Sequence, residues 1–100
     1  PGIILPPKES WAKNTYWMYS ILIKENSPVS RDELMAKLKD KGVETRPFFI
    51  PVHLMPPYKT NFSYPVSEKL SKEGINLPSA ATLTDKQIRK VCELIHGLFY

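Results

Sequence analysis

The sequence predicts an α+β domain: a small three-stranded sheet with helices packed on it, the segments alone leaving strand direction open. Three observations carry this reading. The run NTYWMYSILIKE, residues 14–25, is rich in aromatic and β-branched residues and apolar on both faces, as a central strand covered on both sides would be. Ser30 and Thr84 are each followed three residues on by Glu33 and Gln87, the capping-box signature of a helix start. Residues 43–46 and the stretch INLP at 75–78 are short extended pieces that complete the sheet. A two-layer sandwich of sheet and helices follows.

The chain has 100 residues, the size of one domain, with 42% hydrophobic and 24% charged residues, an ordinary globular balance. Ten prolines against four glycines make the connections stiff. No apolar run reaches the roughly 18 residues that span a bilayer, and no signal peptide opens the chain. A cytoplasmic location is expected. The opening PGIILPP reads as the middle of a longer chain. Cys92 is the only cysteine, so no intrachain disulfide forms, and it reads as a small structural residue of a helix. The net charge of +4 invites a nucleic-acid reading. However, the eleven lysines and three arginines are spread along the chain among acids, without the clustering a nucleic-acid surface needs.

In order, residues 1–13 form an extended arm anchored by Trp11. In the first strand, Trp17, Tyr19, Ile21 and Ile23 make one face, and Tyr16, Met18, Ser20 and Leu22 the other. Asn26-Ser27-Pro28 stops it. The helix capped by Ser30 buries Leu34, Met35 and Leu38 and turns Lys37, Lys39, Asp40 and Lys41 to water. Gly42 ends it in a left-handed cap. PVSEKLSKEG reads as a short helix with Pro65 in its first turn and Gly74 at its end. The helix capped by Thr84 carries Ile88, Val91, Leu94, Ile95 and Leu98 at helical spacing.

Residues 42–58, GVETRPFFIPVHLMPPY, stand apart. Pro47, Pro51, Pro56 and Pro57 stiffen the segment, and a stiff loop holds polar side chains at set positions. His53 is its only histidine, suited to an oxyanion, a phosphate or a proton shuttle, or simply to hydrogen-bonding its own loop. Arg46 can clamp a carboxylate or phosphate, or pair with Glu44. Tyr58 offers a hydroxyl or packs on Pro56 and Pro57. Phe48 and Phe49 read as core or interface. His96, near the end of the last helix, reads as a surface residue or dipole partner. The sequence has no glycine-rich phosphate loop, GxSxG, HExxH or Cys/His metal cluster.

The string RPFFIPVHLMPPY followed by INLPSAATLTDKQIRKV resembles the C-terminal part of the DegT/StrS-type nucleotide-sugar aminotransferases, nearest in pattern to the perosamine-synthase-like branch. The family reads R-P-x-F, P-x-H-x-x-P-x-Y, L-P and L-T-[DE]-x-Q-I. Here these are Arg46-Pro47-Phe48-Phe49, Pro51-Val52-His53, Pro56-Pro57-Tyr58, Leu77-Pro78 and Leu83 through Ile88. The resemblance covers essentially the whole chain, and WMYSILI fits the domain's opening strand. Met55 stands where many relatives have glutamine, and the turn KTNFSYPV is shorter than in many of them.

The resemblance implies the small-domain architecture of the aspartate aminotransferase superfamily, a small, mostly antiparallel three-stranded sheet with helices packed on it, with pyridoxal 5'-phosphate as cofactor. It implies that the Schiff-base lysine, the acid facing the pyridine nitrogen and most phosphate contacts belong to an N-terminal domain absent here. No catalytic residue is then expected among residues 1–100, which would be inactive alone. The reaction implied moves an amino group, usually glutamate's in the family, to a nucleotide-linked keto-sugar in polysaccharide or amino-sugar biosynthesis. His53, then Arg46 and Tyr58, would lie at the substrate-binding rim. A homodimer is expected, without nucleic acid or membrane. Two other readings stand beside it: a catalytically silent regulatory protein of the same fold, and a small basic interaction module.

Overall fold

The computed structural model describes residues 2–100. Four strands form one antiparallel sheet in the order β1-β2-β4-β3: β1 is Ile3–Ile4, β2 Tyr19–Ile23, β3 Arg46–Pro47 and β4 Gly74–Leu77. Three helices accompany it, α1 Arg31–Asp40, α2 Pro65–Glu73 and α3 Asp85–Phe99. The α+β class stands, but the sheet has four strands rather than three. The added strand comes from the extended arm, where Ile3 pairs with Ile23 and Ile4 with Leu22.

β2 is shorter than the run that predicts it. Asn14 Oδ1 accepts the Tyr16 N–H at 2.7 Å, and Tyr16 takes φ of +52°, a turn that breaks the extended backbone before Tyr19. Trp17 therefore falls outside the strand and is 75% exposed. Trp11 is exposed as well and anchors nothing. The two-sided burial expected of β2 holds on one face only: Ile21 and Ile23 are buried, while Ser20 and Leu22 are half-buried.

β4, the INLP stretch, is an inner strand and pairs with both β2 and β3. Residues directly opposite in an antiparallel pair share a face. Ile21, Ile75 and Pro47 thus form one row on the core face, and Ser20, Asn76 and Arg46 form the next row on the opposite face. Only the end of the predicted 43–46 strand pairs. Pro47 has no N–H to give a ladder, and it sits on the edge strand where that loss is tolerated.

The core gathers Ile21, Ile23, Val29, Leu34, Leu38, Val43, Ile75, Ile95 and Phe99. Leu34 and Leu38 of α1 are fully buried, and Met35 packs half-buried beside them. Both capping boxes form: Ser30 N–H donates to Glu33 at 2.8 Å and Thr84 N–H to Gln87 at 2.9 Å, with the reciprocal bonds at 3.2 Å each. α1 ends as its glycine predicts. Gly42, at φ +81°, donates to Lys39 O at 3.0 Å, and Val43 donates to Leu38 O at 2.8 Å while its side chain enters the core. In α3, Phe99 is buried with Ile95, but Ile88 is exposed because it borders an open groove beyond the core. Cys92 lines that same groove and is exposed rather than packed.

Arg31 ties α1 to α2. Its Nη1 donates to the carbonyls of Ser71 and Gly74, at 3.0 and 2.9 Å, where α2 ends and β4 begins. Phe48 closes the sheet's second face at that end. Its N–H donates to Gly74 O at 3.2 Å, and its ring lies where a Cβ on residue 74 would stand.

Candidate functional site

Beyond Phe48 the second face of the sheet is open. There the row Ser20–Asn76–Arg46 crosses three strands. Two depressions meet over it, of 470 and 440 Å³, and both are bordered by Trp17, Met18 and Asn76. Arg46 and Glu44 line the first; Phe48, Phe49 and Ser20 line the second. Arg46 is exposed and makes no side-chain hydrogen bond or ion pair among the described residues, so the pairing with Glu44 considered from sequence does not form. Asn76 is 8% exposed. Its Oδ1 accepts from the Ser20 hydroxyl, and no acceptor among the described residues takes its Nδ2 hydrogens.

The proline segment folds into two short 3-10 turns, Val52–Leu54 and Pro56–Tyr58. His53 does not point into open space. It is 8% exposed, its Nε2 lies 3.0 Å from Glu68 Oε1 on α2, and its ring meets Tyr64 at 4.7 Å between centroids. The Ser63 hydroxyl donates to the other Glu68 oxygen at 3.4 Å. This pairing reaches outside the loop to α2, a partner that sequence spacing did not reveal. Tyr58 is 63% exposed, its N–H donating to Met55 O at 2.9 Å. His96 is exposed and stacks on Tyr100.

Arg46, His53 and Tyr58 are therefore not gathered into one cluster: the depression lined by Arg46 includes neither His53 nor Tyr58. Around the latter two lies an apolar surface, with Phe49, Ile50, Val52, Leu54, Phe62 and Val66 all exposed. Phe48 packs on the sheet, and Phe49 is exposed. Asn76 and Trp17 were missed as site residues. The alternation I-N-L in β4 was the available signal for Asn76, since a polar residue between two apolar ones in a strand faces away from the core.

A third depression, of 410 Å³ and almost wholly apolar, lies between Tyr19, Leu77 and the first turns of α3. Among the described residues no group of three or more His, Cys, Asp and Glu side chains could hold a metal ion, and no helix is long and apolar enough to cross a membrane. No lysine borders the depressions at Arg46 or at Tyr19.

An open antiparallel sheet with α1 and α3 against one face, and a proline-stiffened edge loop, define a small α+β domain whose second face is open beyond Phe48. The chain belongs to the DegT/DnrJ/EryC1/StrS aminotransferase family, which matches residues 1–96. It is 44% identical over 87 residues to the GDP-perosamine synthase of Escherichia coli O157:H7, covering 86% of this chain and 23% of that protein. The GDP-perosamine synthase of Vibrio cholerae is 38% identical over 89 residues, covering 86% and 24%. Among solved structures, the chain superposes on S. venezuelae DesV, determined in complex with a ketimine intermediate, with a TM-score of 0.85 and 25% identity, over 97% of this chain and 26% of that one. The chain thus spans about a quarter of the length of the relatives it matches.

Proposed function

We propose that this chain is the C-terminal part of a sugar aminotransferase that moves an amino group from glutamate to a GDP-linked keto-sugar, forming GDP-perosamine for a surface polysaccharide. The 44% identity to a GDP-perosamine synthase carries this reading. Pyridoxal phosphate is the cofactor of the family, and it supplies the electron sink for amino transfer. In this reading the cofactor is held by a domain outside these residues. The protein acts in the cytoplasm as a homodimer, and residues 1–100 are inactive alone. They contribute the substrate-binding rim, with Arg46 on the sheet and His53 and Tyr58 on the proline segment.

The experiment is a nitrogen-transfer assay on the intact protein. It is incubated with glutamate labelled at nitrogen and the GDP-linked keto-sugar whose carbonyl stands where perosamine carries its amine. Mass spectrometry of the sugar nucleotide should show one labelled nitrogen gained. A sugar nucleotide recovered unlabelled, with the protein folded and supplied with cofactor, overturns the reading.

A further inference from the structure

We infer that Glu68 is a positioning residue for His53: it takes the Nε2 hydrogen and leaves Nδ1 as a fixed acceptor at the surface, suited to a sugar hydroxyl. The inference deepens the proposed function and rests on it for the identity of the ligand. The placement of the imidazole rests on geometry. His53 Nε2 lies 3.0 Å from Glu68 Oε1. An ionised carboxylate has no hydrogen to give, so the hydrogen in this contact belongs to the imidazole. A neutral imidazole carries one ring hydrogen, so Nδ1 is then bare and can only accept.

Both partners are held in place. The His53 ring is tilted by 59° against Tyr64, and its backbone lies in the turn Val52–Leu54. Glu68 stands in the first turn of α2, its N–H donating to Tyr64 O at 3.0 Å. The Ser63 hydroxyl donates to its second carboxylate oxygen at 3.4 Å, so each oxygen of Glu68 has its own donor. The other imidazole nitrogen is different. Among the described residues no group bonds Nδ1, yet no buried side-chain nitrogen or oxygen lacks a partner. Nδ1 therefore reaches the surface and belongs to the small exposed fraction of a residue that is otherwise buried. One nitrogen is anchored inside and the other is presented outside.

This placement chooses among the ligands that a lone histidine could serve. A bare Nδ1 offers a lone pair, and the carboxylate behind the ring adds negative charge, so a phosphate or another oxyanion is disfavoured there. A hydroxyl donor fits. Val52, Leu54 and Tyr58, close to His53 in the chain, are exposed and apolar or aromatic. Small-molecule sites commonly combine such a surface with a few precisely oriented polar groups. A sugar matches both parts, with C–H faces for the apolar surface and hydroxyls for Nδ1. Glu68 then acts on the ligand only through His53, as the carboxylate partner that fixes which nitrogen is free.

The test is nitrogen NMR of the intact protein with labelled histidines, in weakly alkaline solution, alone and with GDP or with the GDP-linked amino sugar. Signals lost in His53→Gln assign the ring. The parent should show Nε2 protonated and Nδ1 bare, and the amino-sugar nucleotide should move the Nδ1 signal while GDP leaves it in place. Glu68→Leu removes the acceptor and should raise KM for the sugar nucleotide about fivefold or more, with KM for glutamate unchanged. Glu68→Gln, whose amide oxygen still accepts from Nε2, should recover most of that loss. A protonated Nδ1 in the parent overturns the inference, as does an Nδ1 signal that GDP moves as far as the sugar nucleotide does. A Glu68→Leu protein that is less stable but has a normal KM for the sugar nucleotide also overturns it, leaving Glu68 only to hold the loop. Should Glu68→Leu fail to fold, the parent spectra decide. The two proposals fail separately: nitrogen transfer with an unresponsive Nδ1 removes this site and keeps the function, and a responsive Nδ1 without transfer does the reverse.

Discussion

His53 Nε2 stands 3.0 Å from Glu68 Oε1, and this contact joins the proline segment to α2. Among the described residues it is the one side-chain hydrogen bond that links residues 49–59 to a helix. Most of the segment's large apolar side chains face outward, so little packing holds the loop in place.

His53→Ala should therefore lower stability by about 1–3 kcal/mol, the range for losing a largely buried hydrogen-bonding partner. Urea denaturation of parent and variant measures this. Kinetics of the intact enzyme separate the two roles of the imidazole. As a rim residue, its removal also lowers turnover or substrate affinity; a variant less stable but kinetically normal would confine His53 to holding the loop.

Arg31→Ala should cost about 1–3 kcal/mol, because two carbonyls at the junction of α2 and β4 lose a cationic donor. Arg31→Lys should recover only part of the loss, since an ammonium lacks the planar fork that serves both oxygens. Thermal unfolding of the three proteins should give that order.

Gly74 and Gly97 predict opposite signs. A Cβ at residue 74 would overlap the Phe48 ring and stand 2.6 Å from the Leu70 carbonyl oxygen. Gly74→Ala should therefore destabilise the domain by about 1–3 kcal/mol. Gly97 lies in α3 with nothing within 4 Å of its Cβ position. Gly97→Ala should stabilise by about 0.5–1 kcal/mol through helix propensity. Denaturant midpoints measure both.

The Ser30 backbone N–H and hydroxyl, with Lys37 nearby, hold the Glu33 carboxyl below its ordinary value of 4.5, against a small opposing effect of burial. A depressed folded-state value means the stabilisation is fully present above the unfolded value and is lost as pH falls through the folded one. The stability gap between the parent protein and Glu33→Ala should thus be constant near neutrality and shrink below pH 4.5. Denaturation curves at a series of acid pH values test this; a gap that widens in acid would reverse the assignment.

Local signals explain what was legible in the sequence. Both capping boxes, the glycine cap at Gly42 and the buried Leu34–Leu38 stripe follow from residues within four positions of each other, and all formed as read. The fourth strand was not legible because Ile3–Ile4 is two residues long and exists only through pairing with β2. Strand 14–25 was overread because apolar content hid the Asn14–Tyr16 turn. In the candidate site, Arg46, His53 and Tyr58 stood out by their residue types. Their separation did not, since it depends on α2 folding back against His53, and the Glu68 contact spans fifteen residues. Asn76 gains its meaning only from register with Ser20 and Arg46, a long-range property of the sheet.

The central claim is that this chain is one part of a pyridoxal phosphate enzyme whose cofactor-bearing lysine lies elsewhere. Borohydride reduction of the cofactor-loaded intact protein, followed by peptide mapping, tests it directly. The account predicts the reduced cofactor on a single lysine outside residues 1–100. Cofactor fixed to any of the eleven lysines within them would contradict it.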